Sequence, residues 1–165
     1  MANELPVSGV VPVSQMAGED DDDTERLRKM ETDAREFISH FDWCEGIRDL
    51  YFGGGIGDVF AVFLVRIAPA QTSVDEYLWI VVGDIPSAYL VVDDSPIPQR
   101  AIEGYVWEMR KWVALAKEGR TSGDVIPVNA PATPEWAEKL ESRLNALEQK
   151  IIPTWLASPK HPSPQ

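Results

Sequence analysis

The fold of this chain is decided by residues 58–94, which read DVFAVFLVRIAPAQTSVDEYLWIVVGDIPSAYLVVDD. Side chains of a strand alternate between two faces, and a strand that is apolar on both faces needs cover on both. The sequence therefore predicts a three-stranded antiparallel meander with helices, or a second subunit, on both of its faces. Its strands are Asp58–Ile67, Glu76–Gly83 and Ala88–Asp93. In the first strand, one face carries Val59, Ala61, Phe63 and Val65, and the other carries Phe60, Val62 and Leu64.

The first predicted helix precedes the meander. Apolar residues recur at spacings of three and four from Leu27 to Cys44, which predicts a helix over residues 25–52 with a kink near His40. Thr24 is the expected N-cap. The glycines Gly53–Gly55 are expected to end this helix.

Two further helices are predicted after the meander. The stripe from Ala101 to Ala116 indicates a long helix that Gly119 closes. Thr133 and Pro134 begin a third helix, which Pro153 is expected to end. Its predicted inward side chains are Trp136, Leu140, Leu144, Leu147 and Ile151. The fold class is α+β in the order α-β-β-β-α-α.

Composition predicts three regions along the chain. Residues 1–23 combine Pro, Val, Ser and Gly with an acidic run, and they indicate a disordered acidic tail. Residues 24–153 are expected to form a single α+β domain. Residues 154–165 are rich in proline and indicate a second disordered tail.

The charge and the cysteine count restrict the function. The 165 residues carry a net charge of -12, which repels phosphate backbones, so we expect no binding to nucleic acid. One cysteine, Cys44, excludes an internal disulfide and a thiolate zinc site. The sequence has neither a long apolar run nor the pattern of a signal peptide. We expect a cytoplasmic protein without a membrane span or a cofactor.

No catalytic residue is predicted. The run GGGIGD over residues 53–58 leads from a predicted helix into a strand, the reverse of a phosphate-binding loop. Asp84 and the pair Asp93 and Asp94 follow antiparallel strands, so we expect them at opposite edges as turn and cap residues rather than as a metal site. His40 has no evident catalytic partner, and Cys44 lies on an apolar stripe.

Tryptophan is abundant, with six residues. Trp43 and Trp107 do not fit the apolar stripes of their predicted helices. An aromatic side chain on an outer helix face is typical of a binding surface. The predicted partner-binding residues are therefore Trp107 and Trp43 together with Glu103, Arg110 and Lys111.

Three segments, WCEGIRDLY, EYLWIVVGDIPSAYLVVDD and YVWEMRKWV, resemble bacterial proteins that contain a domain of unknown function. The resemblance extends from Asp42 to Ile152. It implies a bacterial cytosolic origin, and it implies no activity or functional residue.

These observations favour a non-enzymatic acidic protein that binds a protein partner, in the manner of immunity, antitoxin or adaptor proteins. The partner could be basic. One alternative is a small carboxylate-dependent metal hydrolase or a ligand-binding domain that uses Asp84, Asp93 and Asp94, with Glu103 or Tyr105. The other alternative is a homodimer that buries an apolar face of its sheet.

Overall fold

The computed structural model describes residues 5–69 and 75–157. Strand β1 (Val11–Pro12) and a 3-10 turn precede helix α1 (Asp21–Ser39). Four strands follow, namely β2 (Cys44–Ile56), β3 (Phe60–Pro69), β4 (Tyr77–Gly83) and β5 (Ala88–Val91). The helices after the sheet are α2 (Pro98–Lys117), α3 (Pro134–Ala146) and α4 (Ile152–Leu156).

Within the described chain, the strands form one antiparallel sheet of five strands in the order β1-β2-β3-β4-β5. The predicted α+β class is confirmed, and β3, β4 and β5 are the three predicted strands. The sheet is larger than the predicted meander because β1 and β2 extend it beyond β3. The predicted element order is therefore wrong at its start.

Strand β2 replaces the second half of the predicted first helix. Helix α1 ends at Ser39, and residues 44–56 pair with β3 instead of continuing a helix. The glycines expected to end the helix lie inside this strand. At Gly55 the lack of a side chain is required, since a Cβ there would clash with the carbonyl oxygen of Phe60 in β3.

The residues before α1 carry structure where an acidic tail was predicted. Val11 and Pro12 pair with Phe52 and Tyr51 of β2. Met16 is 3% exposed and belongs to the same apolar core as α1. The N-cap of α1 is Asp20 rather than Thr24, because the Asp20 carboxylate accepts a hydrogen bond from the Asp23 N–H at 2.8 Å.

Both faces of the central strand β3 are buried, as predicted. The side chains from Phe60 to Val65 have no exposed surface, and this burial is achieved within one chain. Helix α1 packs on one face across β2, β3 and β4. On the other face Trp79 is also fully buried, and its indole N–H donates to the Ser95 carbonyl at 2.7 Å.

The predicted start of α3 is confirmed, and two predictions farther along the chain are not. Thr133 caps α3 by accepting a hydrogen bond from the Trp136 N–H at 3.3 Å. The helical chain does not end at Pro153, because a π-helical turn over Leu147–Ile151 intervenes and places Pro153 in the first turn of α4, where its missing N–H is tolerated. Of the predicted inward residues, Leu140, Leu144 and Leu147 are buried, whereas Trp136 is exposed and Ile151 is half-buried. Ala137, Ile152 and Trp155 are buried as well.

The chain forms two compact units. The first contains the described residues up to Ile102, and the second contains those from Glu103 to Ala157. The predicted C-terminal tail falls partly on α4, which ends at Leu156. Residues 158–165 of that predicted tail lie outside the described residues.

Candidate functional site

The outward face of α2 carries an exposed indole. Trp107 is 62% exposed, which confirms the outward position derived from its spacing. The Lys111 ammonium lies 3.7 Å from the centroid of the Trp107 ring, one helical turn away. The same ammonium donates to the Glu108 carboxylate at 3.2 Å. A large apolar surface and two opposite charges therefore stand together on this face.

The other predicted residues of this face divide between two roles. Glu103 is exposed, one turn before Trp107. Arg110 instead faces α3, where its guanidinium donates to the side chains of Asn145 at 3.0 Å and Glu148 at 3.1 Å. Arg110 is therefore a link between two helices of the second unit rather than part of the rim around Trp107.

Trp43 lies in the first unit and is half-buried. Its ring stacks on Phe41 with centroids 4.8 Å apart and meets Tyr89 edge-on at 5.1 Å. Phe41 also contacts Phe37 at 5.3 Å. We call Phe37, Phe41, Trp43 and Tyr89 the aromatic cluster. Trp43 is therefore one member of a packed group and not a free-standing anchor.

A cleft of about 410 Å³ opens beside the aromatic cluster, at the C-terminal end of α1. We call it the α1 cleft. Its volume lies near the lower end of the range of roughly 300–1,000 Å³ that is typical of small-molecule sites. The residues that line it are Asp33, Glu36, Phe37, His40 and Phe41 from α1 and the chain just after it, Val82 and Gly83 from β4, and Ser87 from the loop before β5.

The sequence did not reveal this cleft. Phe37 and Phe41 belong to the apolar stripe that predicts a continuous helix, and such a stripe indicates core residues. They become cleft residues because α1 ends at Ser39 and the chain turns into β2. An acidic pair beside an apolar pair at the end of a helix is the signal that could have located it.

The α1 cleft is acidic. Asp33 and Glu36 are exposed, and neither takes part in the salt bridges found among the described residues. The last turn of α1 has no basic side chain, so nothing in that turn offsets the negative end of the helix dipole. The first unit is acidic as a whole. Residues 1–102 hold 19 acidic and 7 basic residues, whereas residues 103–165 hold 8 of each.

The acids considered for metal binding are separated by the topology. Asp84 follows β4, and Asp93 and Asp94 follow β5, which runs antiparallel to β4. Their carboxylates therefore belong to opposite ends of these strands. Among the described residues, no group of three or more His, Cys, Asp and Glu side chains is placed to hold a metal ion.

The remaining candidates for chemistry have structural surroundings. The glycine run over residues 53–58 forms the end of β2 and part of the turn to β3, so a strand rather than a helix N-terminus follows it. Burial raises the pKa of the Tyr105 hydroxyl far above its usual value, which keeps this residue neutral at physiological pH. Cys44 is half-buried, with its Sγ 3.6 Å from the carbonyl oxygen of Gly46.

Within the described chain, no helix combines the length and the apolar character that crossing a bilayer requires. In comparisons with known proteins, no protein family, curated protein or solved structure matches this chain. The resemblance of three segments to bacterial domains of unknown function therefore stays a prediction.

Proposed function

We propose that this chain is a non-enzymatic cytoplasmic protein that acts by binding a protein partner, in the manner of immunity, antitoxin or adaptor proteins. The observation that carries this proposal is the exposure of Trp107. An indole that is 62% exposed, with Lys111 stacked on it and Glu103 nearby, has the composition of an interface centre with a charged rim.

The charge of the molecule supports a basic partner. The surplus of 12 negative charges falls within residues 1–102. Such a surface attracts a positively charged protein and raises its rate of association at low ionic strength.

The test is affinity capture from the native host with the wild-type chain and with Trp107→Ala. A stoichiometric protein is expected with the wild type. Its affinity should fall about 30-fold or more with the variant, since an interface anchor contributes about 2 kcal/mol or more. Trp136→Ala is the matched control, because Trp136 is 42% exposed and also lies under a lysine, with Lys139 4.6 Å from its ring.

Two results would contradict the proposal. One is a variant that captures the partner as well as the wild type does. The other is the absence of any stoichiometric partner. If sedimentation instead shows a dimer of the chain that Trp107→Ala dissociates, the partner is a second copy held through the outward face of α2 rather than through an apolar face of the sheet.

A further inference from the structure

The α1 cleft has three sources of negative potential within a short distance. Asp33 and Glu36 are three residues apart, so their carboxylates lie on one face of α1. The carbonyl groups at the end of α1 contribute the negative end of the helix dipole. No basic side chain in the last turn neutralises this negative potential. The potential is therefore able to attract a cation from outside the chain.

The apolar part of the cleft selects among cations. Phe37 and Phe41 line it, and Phe41 is held in place by its stacking on Trp43. Val82 on β4 is buried and adds an aliphatic surface. A ring face attracts a cation, and an apolar wall accommodates the methylene groups that carry it.

These features favour a guanidinium over an ammonium ion. A guanidinium is planar and weakly hydrated, so it can stack on a ring while its N–H groups donate to a carboxylate. An ammonium ion is more strongly hydrated and loses more on entering a cleft with aromatic walls. An anionic ligand would be repelled by Asp33 and Glu36.

We propose that the α1 cleft binds the arginine side chain of a basic protein partner, with the guanidinium between the Asp33 and Glu36 carboxylates and the rings of Phe37 and Phe41. The proposal rests on the proposed function, because it assumes that the partner is a protein. Beyond that function, the proposal specifies a basic protein as the partner and an arginine as the residue that the first unit recognises.

The test uses the full ¹⁵N-labelled chain and N-acetyl-L-argininamide, which presents one arginine side chain without a partner. Saturable changes in amide NMR shifts are expected around residues 33–41 and 82–87, and in the indole N–H of Trp43. N-acetyl-L-citrullinamide is the matched probe, because it has the same shape and no charge. It should cause no saturable change at these residues.

A pair of double variants separates local recognition from general attraction. Asp33→Asn with Glu36→Gln should weaken the binding of N-acetyl-L-argininamide about tenfold or more, equivalent to about 1.4 kcal/mol. Asp93→Asn with Asp94→Asn removes the same charge from exposed positions outside the cleft. That control should reduce the affinity by less than about twofold. Both proteins should retain the wild-type NMR spectrum away from the substitutions.

The inference is overturned if the citrulline probe binds as well as the arginine probe, or if the two double variants weaken binding equally. It is also overturned if the corresponding lysine amide binds as tightly, since the site would then recognise any cation. These results leave the proposed function intact, because affinity capture with Trp107→Ala does not depend on them. Conversely, if affinity capture finds no protein partner while N-acetyl-L-argininamide binds as expected, the cleft is a guanidinium site and the proposed function is wrong.

Discussion

Asp23 connects the start of α1 to the turn between β2 and β3. Its carboxylate accepts hydrogen bonds from the N–H of Glu19 at 2.9 Å and from the N–H of Gly57 at 2.8 Å. The second bond spans 34 residues of sequence. Asp23 therefore has a structural role, whereas composition alone would predict that every side chain of the acidic run is solvated.

We predict that Asp23→Ala lowers the free energy of unfolding by about 1–3 kcal/mol, because two backbone N–H groups lose a charged acceptor. Asp21→Ala is the control, since Asp21 carries the same charge in the same first turn of α1. It should change the stability by less than about 0.5 kcal/mol. Urea denaturation measures both values, and equal losses in the two variants would show that the contact with Gly57 contributes nothing.

Among the elements, β2 is the strand that the sequence pattern predicts as a helix. Phe41, Cys44, Ile47 and Leu50 continue the helical spacing of α1, whereas the alternation expected of a strand is interrupted. The structure explains the interruption, because the register of β2 against β3 shifts between Cys44 and Ile47, between Ile47 and Asp49, and between Phe52 and Gly54. A bulged strand loses the period of two that identifies it.

The strands β3, β4 and β5 were predictable for the opposite reason. These three strands pair with one another in regular register, for example Val62 with Val81 and Ile80 with Tyr89, so their alternation is unbroken. In α3 the predicted inward residues Leu140, Leu144 and Leu147 are buried, and the prediction is one residue off at the start of the helix, where the small Ala137 is buried instead of the larger Trp136. Ala137, Leu140 and Leu144 give spacings that fit a helix equally well.

The segment before α1 is an element of the core rather than a tail. Met16 is 3% exposed and packs with Leu27 and Met30 in one apolar cluster. We predict that Met16→Ala lowers the free energy of unfolding by about 2–4 kcal/mol through loss of buried contacts. The neighbour Gln15 is exposed, so Gln15→Ala should be nearly neutral. Thermal and urea denaturation would contradict this placement if Met16→Ala were as stable as Gln15→Ala.

At the scale of the whole molecule, the outward position of Trp107 and the acidic character followed from the sequence, whereas the α1 cleft did not. Exposure on one helix depends on spacing along that helix. The cleft depends on where α1 ends, and it combines Phe41 with Val82, which are far apart in sequence. The excess of negative charge in residues 1–102 is visible in the sequence. The structure adds that these residues form one compact unit, so the excess charge belongs to a single folded body.

This charge should make the stability depend on ionic strength. With 19 acidic and 7 basic residues in residues 1–102, repulsion between like charges opposes folding of the first unit. Raising NaCl from about 0.01 M to about 0.1 M shortens the screening length from about 30 Å to about 10 Å. We predict that the Tm rises over this interval, because the exposed salt bridges that salt also weakens contribute little each. A fall in Tm would show that the salt bridges dominate.

MgCl2 and CaCl2 at matched ionic strength distinguish screening from a metal site. The rise in Tm should equal that in NaCl, since the acids at the ends of β4 and β5 are separated. A saturable extra stabilisation by one cation would indicate a bound ion instead, because a ligand stabilises the state that binds it. If Asp93→Asn abolished that stabilisation while Asp21→Asn did not, the acids after the strands would form a site, and the hydrolase alternative would replace the protein-binding proposal.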